Sequence, residues 1–317
     1  MKTGLLSDPR YREHRPGAGH PESPRRYDAV MKGIAQAVPE RVLESIKPRS
    51  ATEEEVARCH THDYIALVRH DVESGFGTLS TGDTHISKRS LETAFLAVGG
   101  VLAAVDAVID GAVGNAFCVI RPPGHHATSH HGMGFCIFNN VAIAARYLQK
   151  KHGIERVVII DWDVHHGNGT QDIFYSDSSV FYFSTHQWPF YPGTGSTAEQ
   201  GVGNGKGYTL NCPFPAGSGR KEVLGAFSHE LVPAMHRFKP EFVLISAGFD
   251  GRERDLLGNF KLTDDDFVAL TDVVIDIAAD YADGRLLSVL EGGYTLSGLA
   301  SASGAHVKQL AMQGENI

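Results

Sequence analysis

The chain has 317 residues, 42% apolar and 21% charged, enough to bury a sizeable core and too apolar for a disordered protein. Its 29 basic and 37 acidic residues give a net charge of −8 with no Lys/Arg run, which argues against nucleic acid and makes a basic partner the easier one to accommodate. No apolar signal core opens it and no uncharged window approaches the ~18 residues of a membrane span, while Cys59, Cys118, Cys136 and Cys212 form no CxxC pair; no membrane, reduced thiols and a cytoplasmic location are expected.

In chain order, the sequence predicts helices at 24–37, 52–58 and 88–110, then a strand "AFCVI" (116–120), a helix at 138–151 and a strand "RVVII" (156–160). Strands "VFYFS" (180–184) and "YTLNC" (208–212) precede a helix at 220–238. A strand "EFVLIS" (241–246), a helix at 263–280, a strand "LLSVL" (286–290) and a helix at 297–312 complete the chain. Short branched or aromatic runs alternating with amphipathic stretches are the pattern of a parallel sheet covered on both faces, so the class is α/β. No repeat, linker or composition shift divides the chain, and one domain over 1–317 is expected. Glycines gather in "RPPGHHATSHHGMGF", "YPGTGSTAEQGVGNGKG" and "EGGY", which marks long loops inside a compact domain.

The stretch "VVIIDWDVHHGNGT" runs an apolar strand into two aspartates and two histidines. If the strand stays extended a few residues further, Asp161, Asp163 and His165 share a face. A polar loop whose acids cap the next helix is the competing reading. Other strands end in the same way: 241–246 leads to Asp250, 116–120 to His125 and His126, and 286–290 to Tyr294 after two glycines. Ends of parallel strands converge on one crevice. Asp163, His165 and Asp250 there make a ligand set for a catalytic zinc, with an open position and no thiolate to soften the ion.

The motifs "RPPGHHA", "GFCIFNN", "DWDVHHGNGTQ", "STHQ" with "YPGTG", "SAGFD" and "EGGY", spread over about residues 14 to 300, resemble the zinc-dependent histone deacetylase family. The likeness is to its class II-like bacterial branch of histone deacetylase-like amidohydrolases, together with acetylpolyamine amidohydrolases. It implies the arginase/deacetylase fold, a central parallel sheet of about eight strands flanked by helices, and hydrolysis of the N-acyl amide of acylated lysine by a zinc-activated water. Two-manganese ureohydrolases of the same fold carry further acids where this chain has Gly167 and Arg252, so one zinc per chain is expected.

By the same resemblance His126 is the general base and later acid, His125 its partner, Asp161 the group that orients His125, and Tyr294 the oxyanion donor. Asn168 stands where many members have an aspartate to hold His126, and a neutral amide raises the imidazole pKa less. Phe135 and Tyr191 match the aromatic walls of the acyl-lysine channel, and Gly134 the carbonyl that accepts from the substrate amide. A structural potassium or sodium ion is implied at Asp161, Asp163, His165, Ser184 and Thr185, and a second monovalent site near Phe174, Asp177, Val180 and Tyr208. His14, His20, His60, His62, His130 and His131 lie outside these roles and read as solvated or loop-bonding.

The expected substrate is acylated lysine in a peptide or protein, with an acetylpolyamine or other small acetylamine as the alternative. The loop "DPRYREHRPGAGHPESPRR" would repel a polycation, and "GRERDLLGNF" gives the rim a mixed patch of Arg252, Glu253, Arg254 and Asp255. A non-catalytic metal-binding module is the remaining alternative, and the intact motif residues argue against it. A homo-oligomer stays open.

Overall fold

In the computed structural model, which describes residues 1–312, the apolar runs become strands buried on both faces. β1 (Thr3–Ser7), β2 (Leu43–Ile46), β3 (Asn115–Val119) and β4 (Val157–Asp161) lie in one sheet with β5 (Val180–Gln187), β6 (Thr209–Phe214), β7 (Phe242–Ala247) and β8 (Leu286–Leu290). Every pairing is parallel, and the order is β2-β1-β3-β8-β7-β4-β5-β6. β3, β4, β5, β7 and β8 are buried at every position, as expected when helices cover both faces.

This order positions the site. β3, β8, β7 and β4 are consecutive neighbours at the centre of the sheet, and each leads into one of the polar motifs. Segments far apart in the chain therefore open side by side at the carboxyl ends of four adjacent strands.

Several elements differ from expectation. β1 and β2, the helix His62–Glu73 and the helix Asn168–Phe174 were not marked in the sequence. The helix expected at 52–58 is one turn, Glu53–Val56, opened by a capping box between Thr52 and Glu55. The helix expected at 220–238 is split into Arg220–Ala226 and Val232–Phe238 by a π-helical turn, Phe227–Leu231. Pro233, just beyond that turn, has no N–H to continue the α-helical ladder. The helix Ser90–Ile109 is long and apolar enough, by length and composition, to cross a membrane, which the sequence reading did not register. Here 67% of its most apolar window is buried, and it packs on β1, β3 and the helix Asn140–His152 as a core helix.

Candidate active site

β4 ends at Asp161, and the chain bends through 162–166 instead of staying extended. The three polar side chains therefore do not alternate on one face. Asp161 turns to His125, while Asp163 and His165 meet Asp250. Backbone amides hold this turn: His165 N donates to Asp163 Oδ1 (2.9 Å), Val164 N to Asp250 Oδ1 (2.9 Å) and Gly292 N to Asp163 Oδ2 (2.8 Å).

His165 Nδ1 lies 3.1 Å from Asp163 Oδ1 and 3.1 Å from Asp250 Oδ2, and all three residues are buried. A tetrahedral zinc site with bonds near 2.0 Å has ligand-to-ligand edges of about 3.3 Å, so the donor spacing fits that ion. The electrostatics agree. Burial, then the charge of Asp163, pushes the Asp250 carboxyl up to about 7; burial also acts against charge on Asp163, but His125 and His165 hold it well below the usual carboxylate range. Two buried acids in contact call for a cation. Gly167 and Arg252 add no ligand for a second divalent metal. A Cβ at Gly167 would lie 2.2 Å from Asp161 Oδ2, and Arg252 is paired with Asp264 (2.7 Å).

The tandem histidines have different partners. His125 Nδ1 is 3.0 Å from Asp161 Oδ2, an oxygen that also accepts from the Tyr182 hydroxyl (3.2 Å). Burial alone would lower the His125 pKa, but Asp161 and Asp163 override it and raise it to about 10. His126 Nδ1 is 2.8 Å from Asn168 Oδ1. Burial, then the charges of His125 and His165, pushes His126 well below its ordinary value. A neutral His126 that donates from Nδ1 to Asn168 keeps a lone pair on Nε2 for a proton. Glu291 fixes the start of this segment, accepting from Gly124 N (2.7 Å) and His125 N (3.2 Å).

Tyr294 stands opposite, on the loop after β8. Gly293 has φ +117°, and its carbonyl accepts from Arg26 Nε (2.7 Å), whose guanidinium lies 5.0 Å from the Tyr294 ring centroid. A Cβ at Gly292 would sit 2.1 Å from Asp250 Oδ2, so only glycine lets this backbone pass so close to the acids. Beneath it, the Glu22 carboxylate receives Arg121 Nε (2.5 Å), Arg121 Nη2 (2.6 Å) and Arg26 Nη1 (3.0 Å), all without solvent exposure.

A channel of about 320 Å³ leads to these groups. Phe135 meets the Tyr294 ring edge-on at 5.8 Å, Tyr191 meets His126 at 5.3 Å, and Phe190 stacks on His165 at 5.3 Å. Gly134 N and the Tyr191 hydroxyl both donate to Asp83 (2.8 and 3.0 Å), and Leu256 and Leu257 line another side of the mouth. The sequence reading missed Phe190, Asp83, Leu257, Glu291 and Tyr182. Phe190 and Glu291 stood inside quoted or adjoining motifs, and only the folded chain shows what they touch.

Ser184 lies beside Asp161 in the β4–β5 register and Thr185 follows it, its hydroxyl without a partner among the described residues. The Phe174 carbonyl accepts from Asp177 N (3.0 Å) and that of Tyr208 from Tyr182 N (2.9 Å), Val180 opens β5, and the Asp177 carboxylate is held by Ser179 and Arg146. Among the other histidines, His14 and His60 are buried, not solvated: His14 Nδ1 pairs with Ser90 Oγ (2.8 Å) and His60 Nε2 accepts from Asn139 N (2.9 Å). His20 packs on Phe135, while His62, His130 and His131 are exposed, the last two against each other. All four cysteines are buried and free.

A parallel α/β sheet whose central strands end in a buried carboxylate–imidazole triad, a histidine pair and a tyrosine has the arrangement of a hydrolase active site. The comparisons carry this to a family. The histone deacetylase domain model matches residues 20–310. A probable deacetylase of Archaeoglobus fulgidus is 40% identical over 303 residues, covering 94% of this chain and 83% of its own. The polyamine deacetylase HDAC10 of Mus musculus is 41% identical over 298 residues, 89% of this chain and 43% of its own. The crystal structure of the HDA15 HD domain matches with a TM-score of 0.92 at 36% identity, covering 100% of this chain and 91% of that one. The chain belongs to the histone deacetylase family.

Proposed function

We propose that the protein is a zinc-dependent deacylase of acylated lysine in peptides or proteins. The observation that carries this reading is that His126, Tyr294 and His165, the last grouped with Asp163 and Asp250, line one aromatic-walled channel. Zinc held by the triad would supply Lewis acidity toward a water and the amide carbonyl. His126 takes a proton from the attacking water at Nε2, with Asn168 holding Nδ1, and returns it to the leaving nitrogen as the C–N bond breaks. Tyr294 donates its hydroxyl to the carbonyl oxygen as that oxygen gains charge. His125, tied to Asp161, stabilises the neighbouring negative charge. The products are a free amine and a carboxylic acid.

Phe135, Phe190 and Tyr191 suit a methylene chain such as that of lysine. A polyamine would need carboxylates at the mouth for its distal ammonium groups. Among the described residues Asp83 is the single carboxylate lining the channel, held there by Gly134 N and the Tyr191 hydroxyl, and Leu256 and Leu257 are apolar. The likeness to a polyamine deacetylase makes an acetylpolyamine the second reading. Comparing kcat/KM on an acetyl-lysine peptide and on N8-acetylspermidine at equal salt separates the two; a tenfold or larger preference for the polyamine overturns the first. A potassium or sodium ion at the Asp161 carboxylate, the Ser184 hydroxyl and the Thr185 carbonyl is part of the proposal, supported by the fully buried Asp161 carboxylate beside Ser184 in the sheet register.

A further inference from the structure

In the loop after Asp250, two of the four charges that the sequence gives the rim are taken up by contacts within the chain. Arg252 pairs with Asp264, and Asp255 turns inward. Asp255 Oδ2 accepts from the backbone N–H of Tyr294 (2.8 Å) and of Thr295 (2.9 Å), and Oδ1 accepts from the N–H of Leu257 (3.0 Å). The Thr295 hydroxyl closes the same link by donating to the carbonyl of Arg254 (2.9 Å). Arg254 has φ +64°, a left-handed conformation that a residue with a side chain holds when its surroundings fix it.

Residues 291–295 lie between β8 and the helix Leu296–Met312 with no regular structure of their own. Gly292 is tied to Asp163 and Gly293 to Arg26, but the N–H of Tyr294 itself is held by Asp255. We propose that Asp255 is the positioning residue that sets the reach of the Tyr294 hydroxyl and, through Leu257, the place of the channel wall. One carboxylate then couples the oxyanion donor to the substrate-binding mouth. Three donors on two oxygens require a carboxylate: an amide would turn its NH₂ toward one of them. This inference rests on the deacylase reading for the role of Tyr294.

The test uses the intact chain with its metal, an acetyl-lysine peptide and two backgrounds. Asp255→Ala should keep its metal content and lower kcat about 10- to 100-fold, the scale of a misplacement near 1 Å, while raising KM through the loosened Leu257 wall. In the Tyr294→Phe background the same substitution should cost less than about threefold in kcat, because the hydroxyl it positions is gone. Asp255→Asn keeps one acceptor and should restore kcat more than KM when that oxygen faces Tyr294. Hydrogen–deuterium exchange across 291–295 and at Leu257 should quicken in Asp255→Ala. Equal kcat losses in both backgrounds overturn the proposal, as does unchanged exchange. A metal-loaded wild type that hydrolyses no acyl-lysine overturns the deacylase reading instead, and exchange then decides the clamp alone.

Discussion

Replacing Glu22 by Gln should destabilise the protein by about 3–5 kcal/mol at neutral pH, the cost of leaving a buried charge without its partner. Glu22 is fully buried between Arg121 and Arg26, themselves fully buried, with His14 Nε2 3.5 Å away. Burial alone would raise its carboxyl, but Arg121, with His14 and Arg26, wins and lowers it from 4.5 to about 2. That difference corresponds to about 3 kcal/mol. For a carboxyl depressed in the folded state, this stability is fully present above pH 4.5 and is lost as pH falls toward 2. A glutamine keeps one acceptor but turns its NH₂ toward guanidinium donors, leaving two buried cations without a counter-charge, so the two routes to the magnitude agree. Urea unfolding of both proteins at pH 7 measures the loss, which should shrink as the pH is lowered and the wild type itself protonates. A loss below about 1 kcal/mol at pH 7 would refute the reasoning, because it would mean that the guanidiniums reach solvent or another anion. Turnover should fall as well, since Arg26 holds the Gly293 carbonyl beside Tyr294.

Tyr294→Phe should retain the metal and substrate binding but lose roughly 10²–10³-fold in kcat; a wild-type rate on an acetyl-lysine peptide would remove the phenol from the mechanism. Asn168→Asp places a carboxylate 2.8 Å from His126 Nδ1, which raises the imidazole pKa, so the base form is lost at higher pH and the acid limb of the pH–rate profile moves up. A limb that stays put or moves down on stopped assays from pH 5 to 9 would contradict this. Asp250→Ala should lose metal and activity together, with the wild type holding one zinc per chain by elemental analysis; two stoichiometric manganese ions would contradict the single-metal site.

The candidate site residues were legible as polar groups just past apolar runs, where helix capping was the competing reading, and the family resemblance supplied their roles. Asp163, His165, Asp250 and the histidine pair stand in such places, Tyr294 stood out through the "EGGY" motif, and the structure brings them to one crevice. Their arrangement was not legible, because nothing in a strand's own residues says which strand lies beside it. β1 escaped notice for a local reason: Gly4 interrupts its apolar run, although side chains crowd it in the sheet, with Ile46 Cδ1 2.5 Å and Ala116 Cβ 3.0 Å from where a Cβ would stand. β2 itself is mostly exposed, with Glu44 at its centre, and lacks a buried strand's composition. The helix Asn168–Phe174 opens on Asn-Gly-Thr inside a glycine-rich segment that reads as loop. Asp255 read as a solvent-facing rim charge, because a clamp on amides forty residues away leaves no periodic trace.

The last strand of the sheet is also one of its innermost. β8 lies between β3 and β7, so until residue 290 has been made the growing chain cannot close the sheet. β3 and β7 then each present an apolar edge with unpaired amides, an invitation to pair wrongly with another chain. The two halves of the crevice, His125 and His126 on one side and Asp163, His165 and Asp250 on the other, share no sheet contact before that moment. A nascent or truncated chain ending short of β8 therefore lacks more than Tyr294: it has two half-sheets with nothing to register them. The meeting of the histidine pair with the acid–imidazole triad and the completion of the core arrive in the same step of synthesis.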